Sequence, residues 1–111
     1  MARRDYLGEF ELVVLLALAR LEGPASGMPV YDEICRTTGR DVSVHSVYVT
    51  LGRMEKKGYV KSSLGKLTDD SRRAKKRYAL SDAGVLALQR SRVMYDNLWA
   101  GVRLKPSVIE P

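Results

Sequence analysis

Three stretches with the apolar spacing of a helix, joined by links of only a few residues, occupy the first part of the chain. In the first, from Leu7 to Leu21, apolar side chains recur at helical spacing until Gly23-Pro24 ends the pattern. The second runs from Pro29 to about Thr38, where a proline suits the first turn and Gly39 suits the end. Residues 40–42 then lead into the third. The short link between the second and third helices indicates a helix-turn-helix.

The third helix, about residues 43–57 and closed by Gly58, has two chemically different faces. Its apolar arc spans about 120° and must face a core; it consists of Val44, Val47, Leu51 and Met54. Ser43 is placed to cap the first turn. The opposite arc, which no acidic residue of this segment interrupts, carries short hydrogen-bonding groups and then cations: His45, Ser46, Val49, Thr50, Arg53, Lys56 and Lys57.

Two segments after this helix have the alternation of β-strands. Residues 59–65 and 75–80 are expected to pair as a hairpin. The polar loop between them is too long for a tight two-residue turn. Cations lie in and beside this loop, at Lys61, Lys66, Arg72, Arg73, Lys75, Lys76 and Arg77. Three helices followed by a basic hairpin predict a mainly α winged helix-turn-helix fold.

A last helix, from about Asp82 to Val102, is expected to be capped by Ser81 and is long for so small a protein. Its two apolar seams exceed what one small domain can cover, which favours an interface with a second copy of the chain; folding back onto its own core is the alternative. The expected interface residues are Leu88, Tyr95, Leu98 and Trp99. We therefore expect a DNA-binding domain over residues 1–81, a dimerisation helix over 82–102, and a flexible tail over 103–111.

Charge and composition narrow the class of partner. The net charge of +6 points to a polyanion, either nucleic acid or an anionic membrane surface. The longest apolar run, Phe10 to Leu21, is too short and too charged to span a membrane. One cysteine and no secretory signal predict a cytoplasmic protein. With one histidine and no metal-ligand or cofactor-loop spacing, the chain is expected to be no enzyme and to bind no metal or cofactor.

Several short motifs occur in an order that is similar to one known family. They are Leu7-Gly8-Glu9-Phe10-Glu11, the segment from Thr38 to Ser43, Val47-Tyr48-Val49-Thr50-Leu51, Arg53-Met54-Glu55 with Gly58, Tyr78-Ala79-Leu80-Ser81 with Gly84, and Leu98-Trp99. Over about residues 7–102, the chain resembles the PadR-like family of bacterial and archaeal transcriptional regulators, in particular its short members with a single C-terminal helix. It departs from the family pattern at His45, at Gly52 and in the loop of residues 71–74.

The resemblance implies a homodimeric repressor that places the third helix in the major groove of a palindromic DNA operator and its wings on the flanking backbone. Tyr48 would meet a phosphate. The family also includes members whose dimer interface admits aromatic or drug-like effectors, and here Trp99 would be the stacking surface for such a ligand. The alternative is that Trp99 simply fills the dimer core, since a Trp on an interface helix needs no ligand to explain it.

The roles in DNA binding divide by chemistry. Base edges are expected to meet Ser46, Val49, Thr50 and His45 near the capped start of the helix at Ser43. Phosphates are expected to meet Arg53, Lys56, Lys57, Lys66, Arg72, Arg73 and Lys75. A guanine is the alternative partner for Arg53. A different class of function also fits, a winged-helix module that binds another protein without specific DNA binding. Binding of RNA or single strands is disfavoured, because the chain has few aromatic residues.

Overall fold

The computed structural model describes residues 6–65 and 75–105. Within these ranges it contains four helices and one antiparallel hairpin: α1 (Glu9–Leu21), α2 (Gly27–Thr38), α3 (Val44–Lys56), β1 (Val60–Leu64), β2 (Lys76–Leu80) and α4 (Asp82–Trp99). The predicted order and type of every element are confirmed. Three helix ends differ by two or three residues: α1 begins at Glu9 rather than Leu7, α2 begins at Gly27 rather than Pro29, and α4 ends at Trp99 rather than about Val102.

The core lies where the first three helices meet. Its most deeply buried large side chains are Val14 and Leu15 of α1, Val30 and Ile34 of α2, and Val47, Leu51 and Met54 of α3. Burying one side chain of this kind contributes about 1.5–3 kcal/mol relative to leaving it in water. The cluster therefore holds α3 against the other two helices and determines which of its faces remains exposed.

A nearly buried carboxylate joins α1 to α2. Glu33 accepts hydrogen bonds from Arg36 Nη2 at 2.6 Å, from Arg20 Nε at 2.7 Å and from Thr37 Oγ1 at 3.1 Å. The bonds from Arg36 and Arg20 are the main reason that the pKa of Glu33 is lowered from 4.5 to about 2, although burial opposes them. The charged carboxylate is thus the stable form, and it links the end of α1 to the middle of α2.

The link between α1 and α2 adds a β-bridge to the second strand of the hairpin. Val60 pairs with Leu80 and Leu64 with Lys76 in the antiparallel register. In addition, the Ala25 N–H donates to Tyr78 O at 2.9 Å, and the Tyr78 N–H donates to Ala25 O at 2.8 Å. This bridge attaches the base of the wing to the helical body and was not predicted from the sequence.

The start of α4 is held against the turn that follows α3. Ser81 Oγ accepts from the Gly84 N–H at 3.1 Å and donates to Gly58 O at 2.6 Å. The Ser81 N–H donates to Tyr59 O at 3.0 Å. This confirms the predicted cap at Ser81 and fixes where α4 leaves the body. Residues 103–105 follow α4 without regular structure, and the rest of the predicted flexible tail lies outside the described residues.

Candidate nucleic-acid interface

The first turn of α3 presents a set of small polar groups. Ser43 has an extended backbone, and its Oγ accepts from the Ser46 N–H at 3.0 Å, as predicted for a cap. The two hydroxyl oxygens of Ser43 and Ser46 are also 2.7 Å apart. His45, Ser46 and Val49 are exposed. Hydroxyl, imidazole and methyl groups therefore share the outer surface at the start of this helix.

Thr50 does not belong to that outer surface. Its side chain is only 2% exposed, so the prediction that it faces outward to meet base edges is wrong. Thr50 lies three positions after Val47 and four before Met54, both of which are fully buried. Packing against the body covers a wider arc of α3 than the apolar residues alone mark, and Thr50 falls inside it.

Tyr48 lies at the margin of α3 and reaches the start of α2. Its side chain is 42% exposed. A Cβ atom built on Gly27 would come within 2.4 Å of Tyr48 Cε1 and Cζ, so the ring occupies the space that a side chain there would need. This contact was not predicted from the sequence. No local signal marks it, since the two residues belong to different helices.

The cations late in α3 are paired with an acid from another element. Glu11 of α1 accepts from Arg53 Nε at 3.2 Å through Oε2, and Lys57 Nζ lies 3.6 Å from the same oxygen. Its other oxygen, Oε1, accepts from the Gly8 N–H at 2.8 Å. The expectation of a face without acids therefore holds for the α3 segment but is wrong for the folded surface.

The electrostatics of Glu11 follow from these contacts. Burial raises the pKa of its carboxyl, but the Gly8 N–H, Lys57 and Arg53 together lower it by more, and the net direction is downward. The carboxylate is thus held charged beside Arg53 and Lys57. Both cations remain about half exposed and available to a further anion.

The end of the hairpin nearest its loop carries further positive charge. Lys75, Lys76 and Arg77 are exposed. Lys76 Nζ lies 3.0 Å from Glu55 Oε1, and Ser62 Oγ donates to the other oxygen of Glu55. The predicted phosphate contacts Lys66, Arg72 and Arg73 lie outside the described residues. Lys75, the one predicted phosphate contact of the wing within the described residues, is exposed just before β2.

The last helix leaves large apolar side chains uncovered. Trp99 is 60% exposed, and Leu98 and Tyr95 are exposed too, whereas Leu88 is partly buried against the core of its own chain. A groove of about 470 Å³ between α1 and α4 is lined by Leu12, Leu16, Leu88 and Tyr95 among others. A second, of about 570 Å³, lies beside α4 and includes Tyr6, Leu86, Val93 and Leu98. Trp99 lines neither groove.

Two further features bear on the class of protein. No group of three or more His, Cys, Asp and Glu side chains comes together as a metal site among residues 6–65 and 75–105. In the same ranges, none of the helices combines the length and apolar character that a membrane span requires.

Three packed helices, an outward-facing polar third helix and a basic hairpin define a winged helix-turn-helix protein. Residues 14–90 match the family described as the transcriptional regulator PadR-like family. The chain belongs to this family, which confirms the resemblance seen in its motifs. Because members of the family are transcriptional regulators, the expectation that the chain is no enzyme is confirmed as well.

Solved structures share the fold at low sequence identity. A PadR family transcription regulator from Clostridium difficile has a TM-score of 0.70 and 18% identity, over 84% of this chain and 93% of that chain. One from Eggerthella lenta has a TM-score of 0.67 and 22% identity, over 84% and 81%. A winged-helix DNA-binding protein from STIV has a TM-score of 0.68 and 12% identity, over 89% and 100%. Among curated proteins, no similar sequence was found.

Proposed function

We propose that this PadR-like regulator binds double-stranded DNA with sequence specificity, as a homodimer that represses transcription from a palindromic operator. The observation that carries the proposal is the outer surface of α3, where His45, Ser46 and Val49 are exposed on a helix whose other side is fixed in the core. A rigid helix with small side chains outward can enter the major groove.

The exposed groups divide into base readers and backbone contacts. His45 and Ser46 offer hydrogen-bonding atoms, and the Val49 methyls suit the methyl group of thymine. Ser43 and Tyr48 flank them and would meet phosphate oxygens. The cations Arg53, Lys57 and Lys75, with Lys66, Arg72 and Arg73 of the wing loop, would bind the backbone and carry most of the salt-dependent affinity.

Dimerisation is assigned to α4. Leu98, Trp99 and Tyr95 are exposed on a helix of 18 residues, and a second copy would cover them. A two-fold dimer presents two copies of α3, which matches a palindrome of two half-sites. In that dimer Trp99 would also offer a flat surface to an aromatic effector. Residues 1–81 then form the DNA-binding unit, residues 82–102 the dimerisation helix, and the protein acts in the cytoplasm.

Selection from a pool of duplexes with a randomised centre tests the proposal. We expect the protein to enrich one sequence with two-fold symmetry. If a dimer neutralises about 6–10 phosphates, its affinity should fall by roughly 10³–10⁵ between 50 and 200 mM salt. A pool that stays random after repeated rounds, or an affinity that does not respond to salt, would contradict it and favour a protein-binding module.

A pair of variants then separates base reading from backbone binding. Val49→Ala should lose affinity for the selected duplex by about 1 kcal/mol or more while random-duplex binding stays unchanged. Lys75→Ala should weaken both to a similar extent. Leu104→Ala is the control, because Leu104 is an exposed apolar residue beyond the proposed dimerisation helix. Identical profiles for Val49→Ala and Lys75→Ala would remove the division of roles.

A further inference from the structure

Glu11 is the acid that the fold places closest to the cations of the proposed DNA-binding face. It lies 42 positions before Arg53 in the sequence, yet its Oε2 accepts from Arg53 Nε at 3.2 Å and lies 3.6 Å from Lys57 Nζ. Only Nε of Arg53 makes this bond. The two terminal amino groups of its guanidinium have no hydrogen-bond partner among the residues that the structure describes.

Glu9, another acid near the same surface, is less suited to hold a cation in a fixed position. Glu9 pairs with Arg40 at 2.5 Å, but its side chain is 66% exposed, and water screens such pairs strongly. The Glu11 side chain is only 13% exposed. It is also held in place from behind by the Gly8 N–H at 2.8 Å. Glu11 therefore has a fixed position and weaker screening, which Glu9 lacks.

We propose that Glu11 is a specificity-determining residue, which opposes binding to random DNA by holding Arg53 and Lys57 and orients Arg53 for the specific complex. This inference rests on the proposed function. In the complex with its specific sequence, Arg53 keeps its Nε bond to Glu11 and binds the DNA through its terminal amino groups. No contact with Glu11 is then broken. In complexes with random DNA, Arg53 and Lys57 would instead bind the nearest phosphates. Breaking their contacts with Glu11 then costs free energy.

The difference between the two modes follows from their chemistry. Random binding is almost entirely attraction between cations and phosphates, so an acid that competes for two cations weakens it directly. Specific binding includes base contacts, which need a fixed orientation and gain from a side chain that is already held. Removing the charge of Glu11 should therefore lower the ratio of the affinity for the specific duplex to the affinity for random DNA.

Glu11→Gln tests this, since glutamine keeps an oxygen for the Gly8 N–H and removes the charge. Affinities are measured on a random-sequence duplex and on the duplex selected by the wild-type protein. The random duplex should bind about 3–10-fold more tightly, with a salt slope steeper by about 1 for each protomer. The selected duplex should bind with nearly unchanged affinity, so the ratio of the specific to the random affinity falls about 3–10-fold.

The control is Glu22→Gln, which removes one negative charge from an exposed residue at the end of α1 that belongs neither to the α3 face nor to the dimerisation helix. It should change neither the ratio nor the slope. If Glu11 were only a structural link between α1 and α3, Glu11→Gln would lower stability and leave both quantities unchanged in the folded protein. That result, or an equal gain on both duplexes, would overturn the proposal.

Two outcomes distinguish this inference from the proposed function. If the wild-type protein selects no sequence, the proposed function fails and this inference fails with it. If it selects one and Glu11→Gln retains the wild-type ratio, only this inference fails. Should Glu11→Gln not fold, Glu11→Asp replaces it: the shorter acid no longer reaches both α3 cations, so random binding should rise by a smaller factor. Wild-type values for Glu11→Asp would likewise overturn the proposal.

Discussion

Gly27 and Tyr48 share one space between two helices. A Cβ atom on Gly27 would come within 2.4 Å of two atoms of the Tyr48 ring and within 2.9 Å of its hydroxyl oxygen. Gly27 is the first residue of α2, and Tyr48 lies in the second turn of α3. The missing side chain at the start of one helix thus sets the position of an aromatic ring on the other, directly beside the proposed base-reading residues.

Gly27→Ala should displace the Tyr48 ring toward solvent, because that ring is already 42% exposed and can move outward. We expect a loss of about 1–2 kcal/mol in the free energy of unfolding. Affinity for the selected duplex should also fall, because the hydroxyl of Tyr48 leaves its position. Urea denaturation and DNA titration measure the two effects. Wild-type stability together with wild-type affinity would show that the contact does not matter.

Gly52→Ala should have the opposite effect on stability. Gly52 lies inside α3, and a Cβ there would meet no heavy atom within 4 Å in the described structure. Replacing a glycine by alanine in a helix interior stabilises by about 0.5–1 kcal/mol. The urea midpoint should therefore rise with an unchanged slope. A lower midpoint would mean that α3 needs the flexibility of this glycine.

Gly84→Ala should be the most damaging of the three glycine changes. Its Cβ would lie 2.1 Å from Tyr59 O and 3.0 Å from Tyr59 C, and both are backbone atoms that cannot rotate away. The shift would also disturb the Ser81 N–H bond to Tyr59 O. We expect a loss of about 3 kcal/mol in the free energy of unfolding. A loss smaller than that of Gly27→Ala would refute this ranking.

The carboxyl of Glu33 should make stability fall in acid. Its pKa is about 2 in the folded chain against an ordinary 4.5, so the unfolded chain takes up the proton first as the pH falls. Its contribution is therefore complete above about pH 4.5 and is lost as the pH falls toward 2. Glu33→Gln should be less stable at neutral pH and lose less stability over that acid range.

Denaturation at a series of pH values measures this effect. Asp96→Asn, which removes an exposed carboxylate of α4, serves as the matched control. It should follow the wild-type curve closely. If Glu33→Gln followed that curve as well, the bonds from Arg20 and Arg36 would not be the source of the acid sensitivity.

Trp99→Glu should separate the dimer. Trp99 is 60% exposed in one protomer, and a buried unpaired carboxylate at an interface is costly. Sedimentation should show dimers for the wild type and monomers for the variant, with a loss of affinity for the selected duplex. Leu104→Glu is the control, because Leu104 is exposed but lies beyond the end of α4. A Trp99→Glu protein that remains dimeric would contradict the assignment of α4.

The amino-acid sequence by itself determined the local structure of this protein. Helical spacing of apolar residues marked all four helices, and alternation marked both strands. The caps at Ser43 and Ser81 were predictable too, since each serine bonds to an amide only three positions away. Propensity, periodicity and capping act between neighbours in the chain, so a pattern of neighbouring residues is sufficient to predict them.

The tertiary structure decided which of those residues meet. Thr50 is buried because packing covers a wide arc of α3. Glu11 reaches Arg53 across 42 positions, and Ala25 pairs with Tyr78 at the base of the wing. Such contacts depend on how helices and strands pack against one another, which no short pattern records. The sequence therefore predicted the basic face of α3, but only the folded chain shows that an acid from α1 shares it.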